Sequence, residues 1–255
     1  MNLHLTGTES AKTVPTAPLE RMRNAVHLAL TLREIALAYG PPGTGKTFAA
    51  HTVTTELLAD LAGTNAPRRL VRVQVPRSRS QKVLYVEWLH AITGGLMRGT
   101  EYELKYELID LLSDGRTVSL IDEAQHLGAD GLEQVREIYD RIDGNLALVV
   151  VGSSSVDDIL RSSPQLQSRV ARPVVFYRID SQDLCSTLAR YHPMFDGAPA
   201  PVIHLIDARF AHCNFRKWAR VLQAALRLAP HVKHTGPLNE TLAKVILHEL
   251  TAGRR

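Results

Sequence analysis

Only two cysteines, Cys185 and Cys213, occur in the 255 residues, without C-x-x-C spacing or a matching histidine pair. That excludes a zinc ribbon and a disulfide framework, and it predicts reduced thiols that serve packing. No run of about 18 apolar residues occurs, which excludes a membrane-spanning helix. The opening MNLHLTGTESAK lacks the apolar core of a secretory signal, so the expectation is a soluble, cytoplasmic protein with no membrane partner. Neither sign of charge dominates. Thirty Lys and Arg stand against 26 Asp and Glu, a modest net +4, which favours an anionic partner and permits nucleic acid without requiring it. Internal repeats and low-complexity segments are also absent. What is plentiful is core material: 45% of the residues are hydrophobic, enough for one large domain plus an appendage.

The strongest local signal is YGPPGTGKTF, where Gly40, Gly45, Lys46 and Thr47 complete the pattern G-x-x-x-x-G-K-[ST]. IALAY (Ile35 to Tyr39) reads as a short buried strand before it, and KTFAAHTVTTELLADLAG reads as a helix after it. A glycine-rich loop between a strand and a helix lets backbone N–H groups curl around phosphates, and the helix N-terminus adds the positive end of its dipole. The candidate nucleotide-binding stretch is therefore Gly40, Pro41, Pro42, Gly43, Thr44, Gly45, Lys46, Thr47 and Phe48. Lys46 is expected on the β and γ phosphates of ATP, and the Thr47 hydroxyl on Mg²⁺.

TVSLIDEAQHL supplies the complementary acidic strand end. Val118, Leu120 and Ile121 form the strand, and Asp122 closes it at the carboxyl edge where ligands of open parallel sheets collect. Asp122 is the second candidate metal ligand, and Glu123 the residue that orients and polarises an attacking water. Further strands are expected at Leu70 to Val75, Leu146 to Gly152 and Pro173 to Ile179. Helical patterns lie between them: SQKVLYVEWLHAITGGL, EYELKYELIDLL, DGLEQVREIYDRI and SVDDILRSSPQLQ. Five alternations of strand and helix predict an α/β fold, a three-layer domain around a five-stranded parallel sheet. A polar, flexible arm is expected over residues 1–17, the nucleotide-binding domain over 18–180 and a small all-helical domain over 181–255.

With GPPGTGKT, SLIDEAQHL, VVVGSSS, PQLQSRVARPVVF and NFRKWARVL in this order, the chain resembles the AAA+ ATPases over roughly Leu30 to Leu228. More narrowly it resembles the transposition ATPases of the phage Mu B and TniB type, whose wider relatives include ATPases of the ExeA type. The resemblance implies a lid for the helical domain and, before the last strand, an arginine that reaches the nucleotide of a neighbouring subunit. Arg169 matches that position, with Arg172 as its alternate. It implies a sensor of the γ-phosphate at Ser153, with Ser154 adjacent, and a nucleotide-contacting arginine at Arg216. It also places the turn VPRSRSQK, with Arg77, Arg79 and Lys82, toward the channel of a ring. Protein unfoldases carry an aromatic and a glycine in that segment, whereas this cationic, serine-rich turn suits a phosphate backbone. The function so implied is an ATP-dependent, sequence-nonspecific switch. It oligomerises on double-stranded DNA as a ring or helical filament, hydrolyses ATP with Mg²⁺, and selects targets for a transposase or similar recombinase. The alternative is a protein-remodelling or loader ATPase of the helicase-loader or ExeA type.

Overall fold

A computed structural model describes residues 6–8, 10–60, 69–78, 80–143 and 145–252. It divides into two units. One comprises Ala17–Pro42 and Lys46–Phe176; the other comprises Met1–Thr16, Gly43–Gly45 and Tyr177–Arg255.

The larger unit is a parallel sheet of β1 (Ile35–Tyr39), β2 (Arg69–Gln74), β3 (Thr117–Asp122), β4 (Ala147–Gly152) and β5 (Val174–Val175), in the order β2-β3-β4-β1-β5. Its helices are α1 (Ala17–Thr31), α2 (Lys46–Asp60), α3 (Gln81–Thr93), α4 (Glu101–Leu112), α5 (Gly128–Arg141), α6 (Ser155–Ser162) and α7 (Pro164–Gln167). Strand side chains alternate between two cores, as the two-residue period of a strand requires. Ile35, Leu37, Val71, Val73, Ile121, Leu148 and Val150 join the buried residues of α3, α4 and α5. Ala36, Ala38, Val118, Leu120, Val149 and Val151 face α1 and α2. Burial on both faces is why β1 and β4 read as unbroken apolar runs and why β3 is apolar at Val118, Leu120 and Ile121. The polar intruder Ser119 is fully buried but satisfied, since its Oγ accepts the indole N–H of Trp88 at 2.9 Å.

Two elements differ from the sequence reading. The last strand, expected over Pro173 to Ile179, is only Val174–Val175, paired along one side to Ala38 and Tyr39. An edge position leaves it without a second partner to extend it. The helix expected over SVDDILRSSPQLQ is two helices. Ser163 adopts φ −121°, as a residue preceding proline does, and its Oγ accepts the Leu166 N–H at 3.3 Å to start α7 with Pro164 in the first turn. By contrast α4 runs from Glu101 to Leu112 as expected, opened by a reciprocal cap between Thr100 and Glu103.

The smaller unit holds α8 (Leu184–Tyr191), α9 (Ala200–Ile206), which passes into a π-helical turn (Asp207–Ala211), α10 (Phe215–Leu228) and α11 (Glu240–Ala252). Its core gathers on Trp218, with Phe195 edge-on at 5.5 Å and Leu184, Leu188, Val221 and Ile246 around it. The N-terminal stretch read as an arm is docked on these helices where it is described. Ala11 and Val14 are buried in this core, and Lys12 N–H donates to the Tyr191 carbonyl at 2.8 Å. Two apolar side chains and several hydrogen bonds, among them Gln223 Nε2 donating to the Thr6 carbonyl at 2.7 Å, anchor this polar stretch. Among the described residues, no helix is long and apolar enough to cross a membrane.

Candidate nucleotide site

β1 ends at Tyr39 and α2 begins at Lys46, so the glycine-rich loop occupies the carboxyl edge of the sheet. Gly40 has φ +148°, and a Cβ there would lie 2.2 Å from the Phe176 carbonyl oxygen, so only glycine fits beneath the segment following β5. The Lys46 ammonium donates to the carbonyls of Gly40 at 2.8 Å and Pro41 at 2.7 Å. Phe48 follows within the first turn of α2, half-buried. Gly43–Gly45 group with the helical unit. There the Gly43 carbonyl accepts the backbone N–H of Arg216 at 3.1 Å, while the Arg216 residue itself is exposed.

Across the strand order β3-β4-β1, Asp122 sits at the end of β3 and is 4% exposed. Its Oδ1 accepts the Thr47 hydroxyl at 3.1 Å and the Glu123 N–H at 3.0 Å. Its Oδ2 accepts Nη2 of Arg72 at 2.9 Å. The register explains Arg72: Gln74 pairs with Asp122 and Arg72 with Leu120, and residues 70, 72 and 74 share the α2 side of the sheet with 118, 120 and 122. Burial first, and then the Arg72 guanidinium, hold the His51 imidazole on α2 below its ordinary value, as desolvation and a nearby like charge must. No sequence motif singles out Arg72. The alternation in RLVRVQ, with valines on one side, was the signal that it belongs to the other.

Glu123 has φ +60° and begins a 3-10 turn, Ala124–His126. The Gln125 amide lies beside it, its Nε2 donating to Glu123 Oε2 and its Oε1 accepting the Ser153 N–H at 2.9 Å. The Ser153 hydroxyl is shared with Ser155 Oγ at 2.8 Å, and Ser154 is exposed. The turn's far end is fixed by His126, whose Nδ1 lies 3.1 Å from the Val75 carbonyl. No motif marked Gln125, because its role depends on where β4 ends.

The remaining candidates lie elsewhere. Arg169 is half exposed, and its Nε donates to Asp140 Oδ1 at 2.8 Å. Its carbonyl accepts the N–H of Ile35 at 2.8 Å, so Arg169 stands at the start of β1, whereas the glycine-rich loop leaves its end. A strand of this length spans roughly 17 Å. Arg172 is exposed, as are Arg77 in the turn after β2 and Lys82 in the first turn of α3; Arg79 lies outside the described residues. Among the described residues no group of three or more His, Cys, Asp or Glu could hold a metal ion.

Comparison with known proteins places this geometry. Solved structures of similar fold include the Aeropyrum pernix ORC1 protein in complex with DNA (TM-score 0.71, 21% identity, 93% of this chain and 65% of that one). Cdc6p from Pyrobaculum aerophilum is similar too (TM-score 0.67, 18% identity, 90% and 66%). So is the RuvB Holliday junction branch migration motor of Thermotoga maritima (TM-score 0.59, 18% identity, 93% and 70%). The chain thus spans 65% of the length of the ORC1 protein, and at these identities the likeness is one of fold. A search of curated proteins found no match. The family described as AAA domain matches residues 30–160, from the end of α1 to α6 and so through the loop, Asp122 and Glu123. This match covers more than half of the sequence, and the chain belongs to the AAA domain family.

Proposed function

We propose that this protein is a Mg²⁺-dependent AAA+ ATPase whose active site is completed by a second copy and whose assembly forms on double-stranded DNA. The observation that carries the reading is the Thr47 hydroxyl 3.1 Å from the Asp122 carboxylate, with Glu123 next in sequence. Thr47 and Asp122 would hold Mg²⁺. Two hard oxygen donors fit an ion that takes its other ligands from phosphate and water, and Mg²⁺ bound there screens the phosphate charge. Gly40, Pro41, Pro42, Gly43, Thr44, Gly45 and Phe48 belong to the nucleotide-binding stretch, and Lys46 turns from two neutral carbonyls to the more strongly accepting phosphate oxygens. Glu123 orients a water and takes its proton as the water oxygen bonds to the γ-phosphorus. The bond from that phosphorus to the β,γ-bridging oxygen breaks, and ADP and inorganic phosphate leave.

Arg169 is the cation for the developing charge, and it serves a neighbour. Its place at the start of β1, a strand length from its own loop, is the support for action in trans. Arg172 is the alternate. Ser153 and Arg216 keep the nucleotide-sensing roles that the AAA+ resemblance gives them. Arg77 and Lys82 are the candidate DNA contacts with Arg79. DNA association is supported by the fold neighbours, one solved in complex with DNA and another described as a branch migration motor. A transposase or similar recombinase as client rests on the transposition-type resemblance, as does a homo-oligomer in ring or filament form, and the cytoplasm is the proposed location. The test is phosphate release. Glu123→Gln should still bind ATP but turn over at least about 100-fold more slowly, and Arg169→Ala similarly. Adding Lys46→Ala subunits, which keep their own Arg169, should restore part of the Arg169→Ala activity. Unchanged turnover in Glu123→Gln refutes the catalytic assignment, and no restoration refutes action in trans.

A further inference from the structure

We infer that Gln125 is a positioning residue that fastens the Glu123 carboxylate to the end of β4. The inference rests on the reading of Glu123 as the water-orienting group. Both ends of the Gln125 amide are used, and the chemistry dictates which is which. Only the NH₂ end can donate to Glu123 Oε2, and only the carbonyl end can accept the Ser153 N–H, at 2.9 Å. The amide therefore cannot flip without losing both bonds. Space for it depends on Gly152, where a Cβ would lie 3.3 Å from Gln125 Oε1 and 2.4 Å from Val156 Cγ2.

Glu123 is thus fixed at two points. Its backbone is held in the left-handed region with its N–H on Asp122 Oδ1, and one carboxylate oxygen is held by Gln125. The other carboxylate oxygen remains to meet a water. Because the same amide holds Ser153, a movement of the chain at the end of β4 is transmitted to the carboxylate through one side chain. Ser153 is also where the AAA+ resemblance puts the γ-phosphate sensor. Gln125 therefore links the sensing position to the group that acts on water.

The experiment is steady-state ATP hydrolysis by wild type, Glu123→Gln, Gln125→Ala and Gln125→Glu across pH 5 to 9, with ATP affinity measured separately. Gln125→Ala should lower kcat by about 10- to 100-fold with KM and ATP affinity within about twofold, because a mispositioned group loses rate without losing binding. Gln125→Glu should be slow at neutral pH, where two carboxylates face each other, and should recover in acid as the new carboxyl becomes a donor. A merely structural role would not shift the pH optimum that way. If wild type turns over and Glu123→Gln does not, yet both Gln125 variants match wild type in kcat and pH profile, the inference is overturned alone. Equal losses of kcat and ATP affinity in Gln125→Ala overturn it as well. If wild type itself releases no phosphate, the ATPase reading falls and takes the inference with it.

Discussion

Replacing Arg72 with methionine removes a charge from beneath the candidate metal site while keeping most of the side chain's length. Arg72 Nη2 lies 2.9 Å from Asp122 Oδ2, and the two side chains are 29% and 6% exposed. At an effective dielectric constant of about 20, unit charges about 4 Å apart attract by about 4 kcal/mol. Much of that is offset by the desolvation of the guanidinium, whose buried Nε has no hydrogen-bond partner. Removing one member of a fully buried pair costs about 3–5 kcal/mol. Here the Asp122 carboxylate keeps its bonds from Thr47 and from the Glu123 N–H, and Arg72 is partly solvated. A net loss of about 2 kcal/mol follows. For a chain of this length that lowers the unfolding midpoint by roughly 4–8 °C. Thermal unfolding followed by circular dichroism, without nucleotide, measures it on wild type, Arg72→Met, Asp122→Asn and the double variant. The two single effects should not add, since the partners touch. Mg²⁺ with ATP should narrow the gap, because the ion replaces the missing positive charge at Asp122. Midpoints within about 1 °C of wild type, or strict additivity in the double variant, would refute the reasoning.

Two further predictions concern the helical unit. Burial holds the His192 imidazole below its ordinary value, and its Nδ1 accepts the Met194 N–H at 2.9 Å while Nε2 lies 3.0 Å from Ser10 Oγ. The unfolded chain therefore binds a proton more readily. The stabilising contribution is complete above the unfolded value of about 6.5 and is lost as pH falls through the lower folded value. Urea midpoints should drop from pH 7 to pH 5, and a His192→Gln protein should drop less; identical profiles would remove His192 as a cause. Gly43→Ala should cost about 2 kcal/mol, roughly half from the left-handed backbone and half from a lost helix cap. Gly43 has φ +76°, its Cβ would fall 2.3 Å from Asn214 Oδ1, and that oxygen accepts the Lys217 N–H at the start of α10. An unchanged urea midpoint would show that Asn214 moves aside at no cost.

The central strands were legible because burial on both faces writes itself as an apolar run, as in LALVVVG. The loop and the acidic strand end were legible because their chemistry demands adjacent residues. β5 was overextended because Phe176 and Ile179 are buried although neither belongs to the strand: beyond the Phe176 N–H, which donates to the Tyr39 carbonyl at 2.9 Å, the apolar sequence packs without pairing to β1. The anchoring of residues 10–16 was hidden because Ala11 and Val14 show no period, and their burial depends on helices over 170 residues away. Arg72 and Gln125 were missed for one reason in common. Each acts on a residue of the acidic strand end from a place that only strand register or strand length determines, and neither carries a local pattern.

The most direct test of the central claim is negative-stain electron microscopy of the protein with plasmid DNA under three conditions: a nonhydrolysable ATP analogue, ADP, and no nucleotide. The account predicts rings or filaments on DNA with the ATP analogue alone, since only a γ-phosphate gives Arg169 of one subunit something to hold in the next. Bare DNA in all three conditions, from protein that still hydrolyses ATP, would contradict it and point to a protein client.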